Sequence, residues 1–461
     1  MQGIWAIARL MVAESIRRRI AILFIAVQLG LLAVLPFVVD GDGVTLRSRV
    51  QSCLAYALGA VGLLLSLLTV FLSCAAVADE IRNKTVFTVV SKPLARWKLV
   101  AGKWLGIMLL NAALLGVTLL AVSAAVWYLA RQPTSVPGDR EALQFEVLSV
   151  RHGTQPSPPD FEALAEEEIR RLRQENRLQD VSPDGVETVR RNLVDNYRAG
   201  WRSIPPGQAR QFIFRNLRVD REQEGYLHLR FKPTHTGGLS DVAALVRLYC
   251  GDPEDPDTQM VPVELECLVD RFQTVPIPLA AVNREGVLYV LIALADRGFT
   301  VTFEGSDSLE LLYGIGQFHW NLFCCLAILW CRLAFLAAGG LAVSCFVSFP
   351  VACMAMMLVL FASASGGFLM DAMEWVEPGT SGKADPMWVL GPPLRWIGRT
   401  FVRLVPDFSR YDAAENVASG RLIPLVWTFQ AAAYLVLVRG LILGVVASVI
   451  LTLREVARPT A

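Results

Sequence analysis

Basic residues whose type and spacing could do chemistry are concentrated in one segment, Ala78–Gly106, with the sequence ADEIRNKTVFTVVSKPLARWKLVAGKWLG. Asp79–Lys84 has the composition of a charged helix end, and Ser91-Lys92-Pro93 interrupts the helix because proline disfavours a helical residue before it. A second short helix is predicted from Leu94. Such a helix–break–helix has exposed charge and an apolar face, so it could bind a partner and transmit its motion. A basic loop without a partner is the alternative.

Catalytic patterns are absent from the 461 residues. The chain contains no GxxxxGK[ST] loop, no GxSxG elbow, no HExxH helix and no paired-carboxylate pattern. Its four histidines are scattered, without the spacing of a zinc site. A net charge of +1 gives no indication of nucleic-acid binding. The sequence therefore predicts no enzyme, no metal site and no cofactor bound by this chain itself.

Long apolar blocks surround this segment in a chain that is 54% hydrophobic and 18% charged. A bilayer core about 30 Å thick needs roughly 20 apolar helical residues. The blocks predict six membrane-spanning helices, and the fourth and fifth are separated by a turn at Ser344–Pro350. A cleaved leader is the alternative for the first block, which is longer than a usual leader core. The blocks are Ile20–Val39, Cys53–Ala78, Trp104–Leu129, Trp320–Met370 (two spans) and Val426–Leu453.

Basic residues also predict the orientation, because Lys and Arg accumulate in cytoplasmic loops. Residues 1–19 contain four Arg and loop 79–103 contains six basic residues, which places both in the cytoplasm together with the tail 454–461. Residues 130–316 and 371–425 are then outside, although the latter also carries six basic residues. The domain ranges predicted on this basis are 1–19 (an interfacial elbow helix), 20–129, 130–316, 317–370, 371–425 (with an amphipathic helix at Pro393–Leu404), 426–453 and 454–461.

A different composition marks block 130–316, which we expect to be an extracytoplasmic, mainly-β, sandwich-like domain with helices at Asp160–Leu178 and Val186–Trp201. Its two cysteines, Cys250 and Cys267, could form a disulfide in an oxidising compartment or remain a free pair. The strands are predicted at Gln211–Leu217, Tyr226–Lys232, Leu245–Tyr249, Val263–Leu268, Val287–Leu294, Phe299–Phe303 and Ser308–Leu312.

Two arginines, Arg332 and Arg439, lie within predicted spans. An arginine near the centre of a membrane helix is costly and usually faces protein or water. One interpretation is a contact to the pathway or between subunits. The other is extension to the headgroups or a structural partner such as Asn321 or Gln430.

The Ala78–Gly106 segment resembles the cytoplasmic loop of the ABC-2 type permeases, the membrane subunits of one class of ABC transporter. Many members have a glycine where this chain has Lys84. The N-terminal IARLMVAESIRRR resembles the elbow helix of that family, and Ser348–Pro350 and Val405–Phe408 resemble two of its later segments. The resemblance covers roughly 1–129 and 317–458, whereas block 130–316 is an insertion that much of the family lacks. The residues matching the loop pattern are Glu80, Thr85, Ser91, Lys92, Pro93, Arg96, Gly102, Lys103 and Gly106.

The resemblance implies a six-helix ABC-2 type transmembrane domain in the plasma (inner) membrane, with an extracytoplasmic domain between spans 3 and 4. A separate ATPase subunit would bind ATP and dock on loop 79–103, and a second copy or a paralogue would complete the pathway, most commonly for export. A membrane-anchored receptor or assembly protein, acting through the β domain, is the alternative function. The expected coupling residues are Glu80, Arg82, Thr85, Ser91, Lys92, Pro93, Arg96, Lys98, Gly102 and Lys103.

Overall fold

The protein divides into two compact units, each described here by itself from a computed structural model. The first, called the helical unit, comprises Met1–Val150 and Gly316–Ala461, and the second, the β unit, comprises Arg151–Ile315. The β unit lies within the block that the sequence assigns to a separate domain. The structure describes residues 2–17, 20–82, 95–134, 139–175, 183–217, 225–235, 243–253, 255, 258, 260–295, 300–303, 308–366, 406–408 and 411–453.

Helices within this described part are numbered in chain order. The last of them includes a π-helical stretch at Ala432–Gly440, and a π-helical turn at Gln144–Leu148 follows the fifth. The helices are α1 Gln2–Arg17, α2 Ile20–Val38, α3 Leu46–Arg82, α4 Arg96–Ala130, α5 Asp139–Leu143, α6 Phe161–Gln174, α7 Pro183–Trp201, α8 Phe318–Ser344, α9 Phe349–Ala364, α10 Ala414–Ala418 and α11 Leu425–Leu453.

Four of the described helices, α3, α4, α8 and α11, are long and apolar enough to cross a membrane. A fifth span is possible if α1 and α2, which meet at a bend of 70°, are counted together. The shorter apolar helix α9 has 16 residues, and the prediction of six spans remains a prediction. The amphipathic helix predicted at 393–404 and the tail 454–461 lie outside the described residues.

Helix α8 is the centre of the helical unit, because 78% of its apolar window is buried, against 17% for α11. It crosses α3 in close contact, because a Cβ on Gly340 would lie 1.9 Å from the Ser73 hydroxyl oxygen. Glycine is therefore required at this position, since only its lack of a side chain permits the two backbones to approach this closely.

The beginning of α3 is fixed by polar contacts. Asp139 accepts hydrogen bonds from the backbone N–H groups of Leu46 (2.6 Å) and Arg47 (3.4 Å), which have no partner within their own helix. Arg49 donates to the carbonyl oxygens of Pro36 (3.1 Å) and Val39 (3.2 Å) at the end of α2. The turn between α2 and α3 is thus held from both sides.

Strands in the β unit form two four-stranded sheets, ordered β1-β11-β4-β8 and β3-β9-β6-β7, and one three-stranded sheet, β2-β10-β5. All seven strands predicted from the sequence are present, and the four others are β1, β2, β5 and β8. The strands are β1 Ser149–Thr154, β2 Ser203–Ile204, β3 Ala209–Phe214, β4 Tyr226–Phe231, β5 Thr234–His235, β6 Ala243–Cys250, β7 Val261–Leu268, β8 Gln273–Pro278, β9 Leu288–Leu294, β10 Val301–Thr302 and β11 Leu309–Gln317.

One apolar core is shared by both four-stranded sheets, as expected for strands with every second side chain pointing inward. The ring of Phe303 lies 5.8 Å from that of Phe212 in one sheet and 6.4 Å from that of Phe231 in the other. Helix α6 begins where the sequence predicts, because the Asp160 side chain accepts hydrogen bonds from the N–H groups of Glu162 and Ala163.

The two cysteines of the β unit are buried free thiols, so the structure has the free pair and not the disulfide. The antiparallel register explains this: Cys250 pairs with Val261, whereas Cys267 pairs with Ala244. They lie at opposite ends of the β6–β7 hairpin, about 20 Å apart at roughly 3.3 Å per residue. A disulfide requires Cα atoms within about 7 Å.

Candidate functional site

The predicted coupling residues fall at the end of α3 and the beginning of α4. Glu80 and Arg82 belong to the last turn of α3, and the structure describes their backbone. Arg96, Lys98, Gly102 and Lys103 belong to the first three turns of α4. The remaining four, Thr85, Ser91, Lys92 and Pro93, lie outside the described residues.

Lys103 is almost completely buried, with 3% of its surface exposed. Its ammonium group donates a hydrogen bond to the carbonyl oxygen of Ala76 on α3. An unpaired buried ammonium is very costly, so this hydrogen bond stabilises the packing of α4 on α3. Lys103 therefore connects the two helices that carry the loop.

Arg96, the first residue of α4, reaches the other end of the sequence. Its guanidinium donates to the carbonyl oxygen of Leu451, in the last turn of α11. A guanidinium that donates to a backbone carbonyl forms a charge-assisted hydrogen bond, which is stronger than one between neutral groups. The loop is thereby connected to the C-terminal helix.

Two glycines of α4, Gly102 and Gly106, lie against α1. A Cβ at Gly102 would lie 2.7 Å from the Cβ of Ile7, and one at Gly106 would lie 2.8 Å from the carbonyl oxygen of Ala8. Real Cβ atoms do not approach other atoms so closely, and small residues four apart are typical of close helix packing. Helix α1 consequently packs directly on the first turns of α4.

Further along α4, indole groups connect it with α8 in both directions. Trp104 donates to the carbonyl oxygen of Ala334 (3.0 Å), and Trp330 donates to that of Met108 (3.1 Å). The side-chain amide of Asn111 also donates to the hydroxyl oxygen of Thr69 on α3 (2.9 Å). These bonds make α3, α4 and α8 one connected group.

Both arginines within the spans have aromatic partners. Arg332 on α8 lies 4.8 Å from the Phe408 ring centroid, and the charge of Asp412 acts on it. Arg439 donates to the hydroxyl of Tyr434 (2.7 Å), one turn earlier on α11. The side chain of Asn321, one of the partners suggested by the sequence, bonds backbone instead: it donates to the carbonyl oxygen of Arg421 and accepts from the N–H of Ile423, both at 2.8 Å.

Exposed aromatic side chains mark both ends of α4. Trp97 is 53% exposed near its beginning, and Trp127 is 59% exposed near its end. They are about 45 Å apart at 1.5 Å per residue. The thickness of a bilayer including its interfacial regions is about 40–45 Å, and tryptophan is enriched at both interfaces. The separation of Trp97 and Trp127 is thus close to the distance between the two interfaces of a bilayer.

Titratable groups with shifted pKa values outside the spans lie far along the chain from loop 79–103. Hydrogen bonds from the Thr45 N–H, the Thr45 hydroxyl and the Val44 N–H lower the pKa of Asp42 to about 2. Burial and the charge of Arg151 lower the pKa of His228 in β4 to about 4. Among the residues that the structure describes, no group of three or more His, Cys, Asp or Glu could hold a metal ion.

Some of these contacts could not be found by reasoning from the sequence. The carbonyl partners of Arg96 and Lys103 carry no sequence signal, because every residue has a carbonyl. The packing of α1 does have one, the Gly102-x-x-x-Gly106 spacing. No family model, no curated protein and no solved structure matches this chain.

Proposed function

We propose that this chain is the membrane subunit of an ATP-driven export system of the ABC-2 permease type. In this proposal it spans the plasma (inner) membrane six times, with both termini and loop 79–103 in the cytoplasm and the β unit outside. A separate ATPase subunit binds ATP and docks on loop 79–103. A second copy or a paralogue completes the transport pathway.

The observation that carries the proposal is the convergence of helices at the base of loop 79–103. Lys103 connects α4 with α3, and Arg96 connects α4 with α11. Gly102 lies against α1. A force applied to the loop would therefore act on four helices together, which is the mechanical requirement for a coupling element.

Docking alone does not drive transport. The ATPase must bind the loop with different affinity in two arrangements of the helices, because a ligand shifts an equilibrium only by its differential affinity. The charged residues Glu80, Arg82, Arg96 and Lys98 are proposed contacts to the ATPase. Trp97 is proposed as the apolar part of that surface, because it is exposed beside them.

The sidedness of the loop can be tested with a matched pair of tryptophans. Trp97 and Trp320 are 53% and 54% exposed, at the beginnings of α4 and α8. Each is changed to cysteine and treated with a membrane-impermeant maleimide in intact cells and in inside-out vesicles. All nine native cysteines are buried, so the background labelling is expected to be low. The proposal requires labelling of Trp97→Cys only from the cytoplasmic side and of Trp320→Cys only from outside.

Binding of the ATPase subunit is tested by placing a photoreactive amino acid at position 97 or position 320 of the chain in native membranes. We expect the probe at position 97 to form an ATP-sensitive cross-link to a protein with a GxxxxGK[ST] loop, and the probe at 320 to form none. No such cross-link, combined with ligand binding by the full chain through its β unit, would instead favour the receptor or assembly function.

A further inference from the structure

A groove of about 780 Å³ lies where the end of α4, the π-helical turn 144–148 and the beginning of α8 meet. Its lining is mainly apolar and includes Val126, Leu148 and Phe318. Val126 and Phe318 are buried, whereas Trp127 at the edge is 59% exposed. The volume is within the range of about 300–1,000 Å³ that is usual for small-molecule sites.

Two polar side chains of the groove lining, one from α4 and one from α8, lie close together. The hydroxyl of Ser123 and Nδ1 of His319 are 3.3 Å apart, and both residues line the groove. The guanidinium of Arg131 lies 3.6 Å from the ring centroid of Trp127, so a cation is placed beside the groove edge. The site therefore combines an apolar floor with hydrogen-bonding groups and a positive charge.

Several exposed aromatic residues place the groove at the membrane interface. Trp127 and Tyr128 lie at the end of α4, and the stacked rings of Trp320 and Phe323 lie in the first turns of α8. Phe37 at the end of α2 contacts Tyr128, with 5.6 Å between ring centroids. Such a belt is typical of the headgroup level. A molecule in the groove would therefore have its apolar part in the acyl region and its polar part among headgroups.

We propose that this groove binds one anionic phospholipid. The phosphate lies beside Arg131 at the outer edge of the groove, the glycerol ester oxygens accept hydrogen bonds from Ser123 or His319 one helical turn deeper, and an acyl chain lies on the apolar floor that includes Val126 and Phe318. Arg131 supplies the charge complementarity, because guanidinium groups bind phosphate by charge-assisted hydrogen bonds. The proposal does not depend on the transport function and would remain if the chain were a receptor.

The test uses the full chain purified in detergent and titrated with phosphatidylglycerol or phosphatidylcholine of identical acyl chains, with bound lipids counted by native mass spectrometry. We expect Arg131→Gln to weaken phosphatidylglycerol binding about tenfold, the equivalent of one charge-assisted hydrogen bond. Arg140→Gln is the matched control, since Arg140 is also exposed but donates to the carbonyl oxygen of Gln132, whereas Arg131 lies over the ring of Trp127 at the groove edge.

A second pair of variants tests the groove itself. Ala124→Trp fills it and should abolish the one-lipid complex, whereas Ala113→Trp, at another exposed position of α4, should not. Equal affinity for the two lipids, or unchanged binding by Ala124→Trp in a correctly folded protein, overturns the proposal. Binding of free glycerol phosphate with the same affinity as phosphatidylglycerol also overturns it, because the acyl chain would then contribute nothing.

Discussion

Replacement of Gly106 by alanine tests the packing of α1 on α4 and, with it, the base of the coupling segment. The added Cβ would lie 2.8 Å from the carbonyl oxygen of Ala8 and 2.8 Å from the Cβ of Met11. Neither atom belongs to a flexible side-chain end, so the helices must move apart. Inserting a methyl group into a packed contact typically costs about 1–3 kcal/mol.

A matched control separates the packing cost from the gain in helix propensity that alanine brings. Alanine in place of glycine inside a helix gains about 0.5–1 kcal/mol by itself. Gly116 lies on the same helix, and a Cβ there would have nothing within 4 Å. Both variants have the helix gain, so the difference in the free energy of unfolding between Gly106→Ala and Gly116→Ala is the packing cost alone.

The assay follows the exposure of thiols during heating with a fluorogenic maleimide, because all nine cysteines are buried in the folded protein. We expect Gly106→Ala to unfold about 2–12 °C below Gly116→Ala, from a cost of about 1–3 kcal/mol and about 2–4 °C per kcal/mol for a domain of 150–250 residues. The argument is refuted if the two variants unfold at the same temperature, since α1 would then not be in contact with Gly106.

Three further predictions concern the β unit. Phe303→Ala should lower its free energy of unfolding by about 3–5 kcal/mol in chemical denaturation of the full chain, and Tyr226→Ala, at a 60% exposed position, by much less. His228 has a folded pKa of about 4, below its unfolded value of about 6.5, so the unfolded state binds more protons between these values and stability falls as the pH is lowered from 6.5 to 4. His228→Gln should flatten that part of the stability profile, and an unchanged profile would contradict the assignment. Without reductant, denatured protein should be alkylated at both Cys250 and Cys267. If both cysteines instead stay unalkylated and their peptides are joined, with a combined mass about 2 Da below that of the two free thiols, the protein contains a disulfide that the strand register forbids.

Local patterns predicted much of the β unit. Strand Tyr226–Phe231, for example, alternates between Leu, Leu and Phe on one face and Tyr, His and Arg on the other, and has Gly225 before it and Pro233 after it. The strand Gln273–Pro278 was not predicted, because Pro276 and Pro278 cannot donate to a ladder. The structure places it at the edge of its sheet, where one side needs no donors, and which strand occupies an edge is not a local property of the sequence.

The candidate site was predicted only as a segment. Its charges and its proline are visible in the sequence, but the contacts that connect it to other helices join residues far apart. Arg96 meets Leu451, and Lys103 meets Ala76, through backbone carbonyls that no pattern identifies. Of these contacts, only the glycine pair of α4 could have indicated a close helix approach beforehand.

Side-chain hydrogen bonds to backbone groups occur both before the chain leaves the helical unit and after it returns. Asp139 bonds the first turn of α3 shortly before the departure, and Asn321 bonds Arg421 and Ile423 shortly after the return. Both of these sets of hydrogen bonds join residues of the helical unit to one another. Such an arrangement makes the inserted segment exchangeable: evolution or an engineer could swap it for another module while the surrounding helices keep their registration.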